Sequence, residues 1–364
     1  MRVFQILTTI SFGDAVSNDC LAIRDLLEKE GFETYIYAEN LCVGADKLRA
    51  RNVRKLPKLR KDDIILYHLS TGTELNEKIK TYDCRKYMIY HNTTPPEFFV
   101  PYSGKLSRLC SRGLDETRAL KDSFDGCFAV SEFNREQLLS YGYTCPITVR
   151  PILIPFDDYK KEPDKETLES IGGAAGANEH DIKNILFVGR IAPNKKQEDL
   201  ISLVYAYKKL YGDKIRLILA GNPSGVEKYN ARLKAYAAML KVEDSVVFTG
   251  QISFPKILAY YAGADCFVSM SEHEGFCVPL AEAMEFEVPI IAYASSAIPE
   301  TLGGTGILLE DKDPGKTAEV LHVVLEDKEI RRKMIEEQNE RLSYFSYENI
   351  SSMFMEQFRE FTGL

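Results

Sequence analysis

One stretch of the sequence gathers groups able to hold an anion and hydroxyls together. It reads Ser271-Glu272-His273-Glu274-Gly275-Phe276-Cys277-Val278-Pro279-Leu280-Ala281-Glu282-Ala283-Met284 and follows the apolar run Cys266–Met270. Pro279 suits the first turn of a helix, where its missing N–H is one the helix leaves unbonded anyway. The backbone amides around Gly275, Phe276, Cys277 and Val278 would then face an anion, assisted by the helix dipole. Glu274 precedes that helix and Glu282 lies inside it, with seven residues between them. A phosphate at the helix end would have a carboxylate on either side, one for a sugar hydroxyl and one for a ribose diol. Taken singly, the two read as a turn residue and an ordinary helix glutamate, and it is the whole string that points to a site.

Five further sites follow apolar runs. Phe187-Val188-Gly189-Arg190-Ile191-Ala192-Pro193-Asn194-Lys195 places a guanidinium fork and an ammonium on one short loop. That combination suits a pyrophosphate whose charge grows as a glycosidic bond breaks, although two solvated cations would look the same. Gly13-Asp14 opens the first strand-to-helix turn, where glycine lets backbone approach a ligand closely. His91, in Tyr-His-Asn-Thr-Thr-Pro-Pro-Glu, and His68, in Tyr-His-Leu-Ser-Thr-Gly-Thr, each end a strand. Thr249-Gly250-Gln251-Ile252 follows another.

The first string resembles the Glu-x7-Glu motif of the family-4 retaining glycosyltransferases, which have the GT-B fold. The resemblance implies that Glu274 meets hydroxyls of a donor sugar and Glu282 the nucleotide ribose. Gly189-Arg190-Ile191 followed by Lys195 is similar to the family's phosphate clamp, with Lys196 standing where Gly or Asn often follows. The family's Gly-rich loop is represented by Gly13 alone, so Gly13 and Asp14 are expected on the donor side. His91 stands where the family often has a histidine near the donor sugar, and His68 is expected on the acceptor side. The turn carrying Gly250 and Ile252 is expected to meet the base. The reaction implied is transfer from a nucleoside diphosphate sugar to an acceptor hydroxyl with retention. Arg190, Lys195 and the 276–278 amides would stabilise the leaving group, and Glu274 and His91 would orient the sugar. No cofactor and no metal are called for.

These residues need elements to place them. Short β-branched runs alternate with helical patterns along the whole chain, which gives an α/β class with parallel sheets. The runs Val3–Thr8, Thr34–Ala38, Ile64–Tyr67, Tyr87–Tyr90, Cys127–Val130 and Ile147–Val149 read as strands of one sheet. Val16, Cys20, Ile23 and Leu27 form one helical stripe after the first of them. Pro151, Pro155, Pro163 and Gly-Gly-Ala-Ala-Gly-Ala at 172–177 break the pattern. A second alternation begins near Asn184, with strands at 185–188, 215–220, 245–248, 266–270, 289–292 and 306–309. Its first helix, 196–211, carries the stripe Leu200, Leu203, Val204, Tyr207 and Tyr211. The expected architecture is two Rossmann-like domains facing each other across a cleft. An acceptor-side domain spans 1–150, a linker 151–182 and a nucleotide-sugar domain 183–345. A helix over 346–364 is expected to return to the first domain.

Composition narrows the class. The chain has 364 residues, 45% of them hydrophobic and 27% charged, as in a soluble globular protein. The net charge of −8 is unevenly placed. Residues 1–150 hold 22 basic against 20 acidic groups and the remainder 24 against 34. An acidic second half argues against nucleic acid as a partner. None of the eight cysteines forms a Cys-x-x-Cys pair, so reduced thiols in a cytoplasmic protein are expected. Asp311-Lys312-Asp313 is the one Asp-x-Asp triplet, but it precedes Pro314 in a loop-to-helix context, and metal binding is not expected there. From Lys47 to Lys61, eight of fifteen residues are basic and none is acidic. That run is either a solvated loop or a seat on anionic lipid, which would put the protein on the cytoplasmic face of a membrane with a glycan or lipid-linked acceptor. Three rivals stand beside the transferase reading. A nucleotide-sugar 2-epimerase of the same fold would turn over its donor with no acceptor. A non-catalytic two-lobed sugar-binding protein would need no pyrophosphate clamp. A Rossmann oxidoreductase would need Gly-x-Gly-x-x-Gly where Phe12-Gly13-Asp14 stands.

Overall fold

The computed structural model describes residues 2–42, 44–172 and 182–364. The chain divides into two compact units. Met1–Glu97, Lys105–Pro155 and Tyr344–Leu364 form the first, and Phe98–Gly104 with Phe156–Ser343 the second. The boundary therefore falls inside the segment read as a linker. Ile152, Leu153 and Ile154 are buried, which holds 151–155 to the first unit. Residues 173–181, with most of the glycine–alanine run, lie outside the described residues.

Among the described residues the first unit holds seven parallel strands: β1 (Arg2–Ile10), β2 (Glu33–Leu41), β3 (Ala50–Asn52), β4 (Ile64–Leu69), β5 (Arg85–Tyr90), β6 (Gly126–Ala129) and β7 (Ile147–Val149). Their spatial order is β3-β2-β1-β4-β5-β6-β7. Every residue of β4 is buried, as expected where helices cover both faces of a parallel sheet. The helix Ala15–Lys29 starts at an Asp14 cap, whose carboxylate accepts from the Ser17 amide at 3.0 Å. Cys20, Ile23 and Leu27 point into the core and Val16 is half-buried. Strand β3 was not legible in the sequence. It lies inside the basic run, anchored by buried Ala50 and Val53, while all eight basic side chains of Lys47–Lys61 are exposed. Charge along an edge strand discourages pairing with other chains. The helix Tyr347–Thr362 buries Phe354 and Phe358 in this unit. Gln357 Nε2 on that helix donates to the Val149 carbonyl at 3.0 Å.

The second unit holds six parallel strands among the described residues: β8 (Lys183–Val188), β9 (Ile215–Ala220), β10 (Val246–Gly250), β11 (Cys266–Ser269), β12 (Ile290–Tyr293) and β13 (Ile307–Leu309). Their order is β10-β9-β8-β11-β12-β13. The helix Gln197–Tyr211 buries Leu200, Leu203, Val204 and Tyr207. Tyr211, expected on the same buried stripe, is exposed in the last turn and stacks on His322 at 3.8 Å.

Both sheets reverse direction beside their first strand. The reversal lies between β1 and β4 in one unit and between β8 and β11 in the other. Ligand crevices of open α/β sheets form outside the carboxyl ends of the strands at such points. Gly13, with φ 72, and His68 end the first pair. Arg190–Lys195 and Ser271–Cys277 end the second.

Candidate functional site

In the second unit the loops after β8 and β11 are joined edge to edge. Asn194 Nδ2 donates to the His273 carbonyl at 3.0 Å, and the Glu272 amide donates to the Asn194 carbonyl at 2.8 Å. This brings Lys195 Nζ to 2.5 Å from both carboxylate oxygens of Glu274. The clamp lysine and the expected sugar-binding glutamate are therefore one ion pair. Arg190 is exposed, and its guanidinium donates to the Ser224 carbonyl at 3.3 Å. Gly221 is what lets the β9 end pass this loop, since a Cβ there would lie 1.8 Å from the Gly189 oxygen. Lys196 has φ 52, the left-handed conformation that Gly and Asn adopt most easily. That accounts for the residue types usual at its position. Its ammonium lies 3.2 Å from Glu272, and Lys312 lies 2.8 Å from the same carboxylate. Burial raises the Glu272 pKa, but the two lysines hold it below the ordinary carboxylate value.

Hydroxyls from the segment after β12 fix the 271–278 loop. Ser295 Oγ donates to the Ser271 carbonyl at 2.6 Å, Ser296 Oγ accepts from the Glu274 amide at 2.8 Å, and Thr301 Oγ1 donates to the Phe276 carbonyl at 2.5 Å. Cys277 sits at φ 74 as the cap residue of the helix Val278–Glu285, and it makes no side-chain capping bond. Glu282 occupies the middle of that helix. One of its oxygens accepts from Tyr159 Oη at 2.5 Å and the other from Tyr261 Oη at 2.6 Å. Burial raises its pKa against the pull of these two hydrogen bonds. Gly250 closes β10 at φ 67 and Ile252 is half-buried beyond it.

The first unit gathers a different set. His68 is fully buried, with Nδ1 2.9 Å from His91 Nε2 and Nε2 2.9 Å from Gln5 Oε1. The expected acceptor-side position of His68 is therefore not what the structure gives, because no face of the ring is open. Asp14, expected beside a donor, spends its carboxylate on the helix cap. Asp19 and Arg150, both fully buried, pair at 2.8 and 2.7 Å, and Asp19 also accepts from the Leu153 amide at 2.9 Å. Burial raises the Asp19 pKa, but Arg150 more than offsets it and holds the carboxyl below its usual range. Burial pushes His91 down to about 4 against the opposing pull of Asp19, and pushes His68 well below the ordinary histidine value.

Asp19, His68 and His91 lie within 4.8 Å of one another, the spacing of a metal site. The charges do not fit one. Asp19 is already engaged by a guanidinium and an amide, and Arg150 would repel a cation. Asp311 and Asp313 are committed elsewhere. Asp311 holds Lys316 at 2.9 Å, and Asp313 caps the helix Pro314–Glu326. Sequence reasoning missed Asn194, Tyr159, Tyr261, Gln5, Asp19 and Arg150. Two carried a signal. Gln5 interrupts an otherwise apolar strand, and Asp19 falls three residues after Val16 on the apolar stripe.

Two Rossmann-ordered parallel sheets, each with polar groups at its reversal point, define the GT-B class. The Anabaena protein HepE, solved with UDP and glucose, matches with a TM-score of 0.76 over 99% of this chain and 100% of its own, at 14% identity. Residues 174–341 match the family described as glycosyl transferases group 1. Two curated relatives align here. D-inositol 3-phosphate glycosyltransferase of Corynebacterium glutamicum is 31% identical over 168 residues, which is 45% of this chain and 40% of the relative. Alpha-monoglucosyldiacylglycerol synthase of Streptococcus pneumoniae is 29% identical over 180 residues, 49% of this chain and 39% of the relative. The chain thus spans about two fifths of each relative's length. No helix among the described residues is long and apolar enough to cross a membrane.

Proposed function

We propose that the protein is a retaining, metal-independent glycosyltransferase. It moves a sugar from a nucleoside diphosphate sugar to an acceptor hydroxyl in glycoconjugate synthesis. The observation that carries this reading is the Lys195–Glu274 pair, held by the Asn194 bridge beside the start of the helix Val278–Glu285. Lys195, Arg190 and the amides near Val278 take the leaving pyrophosphate, whose charge grows as the glycosidic bond breaks. Glu274 accepts from sugar hydroxyls. Glu282, steadied by Tyr159 and Tyr261, keeps lone pairs for the ribose diol. Gly13 lets backbone approach the donor, and Gly250 and Ile252 meet the base. In a front-face displacement the departing phosphate takes the acceptor's proton, so no side chain serves as general base.

UDP is the first nucleotide to try, because HepE was solved with it. The test has two stages. UDP, GDP and dTDP are compared by thermal shift, and the matching sugar nucleotide is then followed with Lys195→Ala. Interactions that strengthen toward the transition state act on turnover. Loss of one such donor lowers turnover by ~10²–10³, with a smaller change in donor affinity. A change confined to KM would remove the leaving-group role. Donor turnover without any acceptor, yielding an isomerised sugar, would favour the epimerase reading. Anionic lipid is the surface we propose for the basic run Lys47–Lys61. A cytoplasmic, peripheral location follows from that proposal.

A further inference from the structure

Strands β6 and β7 are neighbours in the first sheet, and the chain between them carries the helix Glu132–Ser140. A cysteine stands at each end of that connection. Cys127 lies in β6 and is fully buried, while Cys145 lies two residues before β7 and is half-buried. The two are 18 positions apart in sequence, yet their sulfurs lie 3.6 Å apart. Backbone holds them there. The Cys127 amide donates to the Pro146 carbonyl at 2.9 Å, and Cys127 pairs in register with Ile147. One cysteine is thus tied to the residue that follows the other.

The two thiols are unlike. Burial pushes the Cys127 thiol well up, whereas a hydrogen bond from Cys127 draws the Cys145 thiol below its ordinary value against the opposing effect of burial. The proton therefore rests on Cys127, and Cys145 reaches the thiolate form first. The thiolate is the nucleophile of thiol–disulfide exchange. Burial raises the thiols of Cys20, Cys266 and Cys277, which keeps those three inert.

We propose that Cys127 and Cys145 form a reversible disulfide that closes the β6–β7 connection, with Cys145 as the attacking thiol and Cys127 as the resolving one. The oxidant is a small-molecule disulfide. The Cys145 thiolate attacks one of its sulfurs, the small S–S bond breaks, a mixed disulfide forms on Cys145 and one small thiolate leaves. Cys127 then gives its proton to solvent and attacks the Cys145 sulfur, and the second small thiolate leaves. Two protein thiols are oxidised and one small disulfide is reduced to two thiols. An excess of the small thiol reverses both steps. The sulfurs close from 3.6 Å to about 2.05 Å. The loop so closed contains Asn134, which donates to the Tyr90 carbonyl at 3.2 Å, and Gln137, which accepts from Tyr90 Oη at 2.6 Å. A cross-link restricts the unfolded chain more than the folded one, so the oxidised form is the more stable. None of this draws on the transferase reading.

The folded full chain, incubated with oxidised glutathione, alkylated and digested with trypsin, reports the link by mass. Cleavage after Lys121, Arg135 and Lys160, with the Arg150–Pro151 bond spared, puts Cys127 and Cys145 on separate peptides that hold no other cysteine. The two peptides are expected joined and lighter by two hydrogens than their thiol forms together, and excess reduced glutathione should separate them. Both cysteines alkylated, or either one linked to a different cysteine, would overturn the proposal. So would an equal yield of the same link in the urea-unfolded chain, because the link would then owe nothing to the fold. Cys127→Ser is expected to leave a glutathione adduct on Cys145, and Cys145→Ser to leave Cys127 as a free thiol. The opposite pattern would overturn the order of attack. Thermal unfolding of the wild type should move to higher temperature on oxidation and return on reduction. A lower midpoint for the oxidised form would remove the closing role.

Discussion

The two units share a strand order and the place of their polar groups, yet the groups themselves are opposites. In the first unit, His68 and His91 are buried and joined by a hydrogen bond, while the fully buried pair Asp19–Arg150 is closed on itself. In the second, Lys195, Arg190 and Glu274 are charged and in part solvent-facing. The same sheet reversal thus carries neutral, hydrogen-bonded side chains in one unit and an ion-paired set in the other. Topology supplies the location, and side chains decide the chemistry.

The largest test of that contrast is Arg150→Met. Breaking a buried pair leaves Asp19 charged and unpartnered, a loss of about 3–5 kcal/mol. Urea unfolding should show it, and Asp19→Leu added to Arg150→Met should recover much of it. A loss below about 1 kcal/mol would place this pair with ordinary surface ion pairs.

Acid sensitivity comes next. His91 titrates at about 4 when folded and near 6.5 when unfolded. Between these values the unfolded chain binds more protons, so stability rises with pH. The contribution is present above pH 6.5 and is lost as pH falls toward 4, about 3 kcal/mol in all. His273 in the second unit, also lowered to about 4 by burial, adds a loss in the same window. The measurement is therefore a difference. His91→Gln should lose about 3 kcal/mol less than the wild type between pH 7 and pH 4, and parallel curves would mean that His91 is not held neutral by the fold.

The last test concerns the exposed edge of the first sheet and leaves fold stability untouched. Arg51, Arg54, Lys55 and Lys58 changed together to Gln should weaken binding to phosphatidylglycerol vesicles at low salt, each charge contributing about 1 kcal/mol. High salt should abolish the difference. Equal co-sedimentation at low salt would leave the run as a solvated edge.

The sequence was most legible where a local pattern and a ligand requirement coincide. Gly189–Lys195 and Glu274–Glu282 both follow strands, and the structure brings Lys195 and Glu274 together. The alternation of strands and helices was equally readable because the strands other than β3 carry apolar runs and the longer helices an apolar stripe. Partners distant in sequence were not. Asp19 meets Arg150 across 131 positions and Tyr159 meets Glu282 across 123, and no local spacing encodes such pairs. His68 reads as a cleft residue from its place at a strand end. Only its contact with Gln5, on the adjacent strand β1, makes it an interior one. Strand β3 escaped because three residues amid lysines and arginines carry too short a period to stand out from a solvated loop.

The left-handed Cys277 bears on how the proposed function could be transplanted. Its backbone angle is held by Thr301 on the Phe276 carbonyl and by Ser296 on the Glu274 amide, not by its own side-chain preference. The working module is therefore discontinuous, made of residues 271–282, the segment 295–301 and Asn194. Grafting the glutamate-bearing loop alone onto another parallel sheet would let that residue relax toward the common helical or extended basins. The first turn of the following helix would lose its aim, and a productive chimera would have to carry all three pieces together.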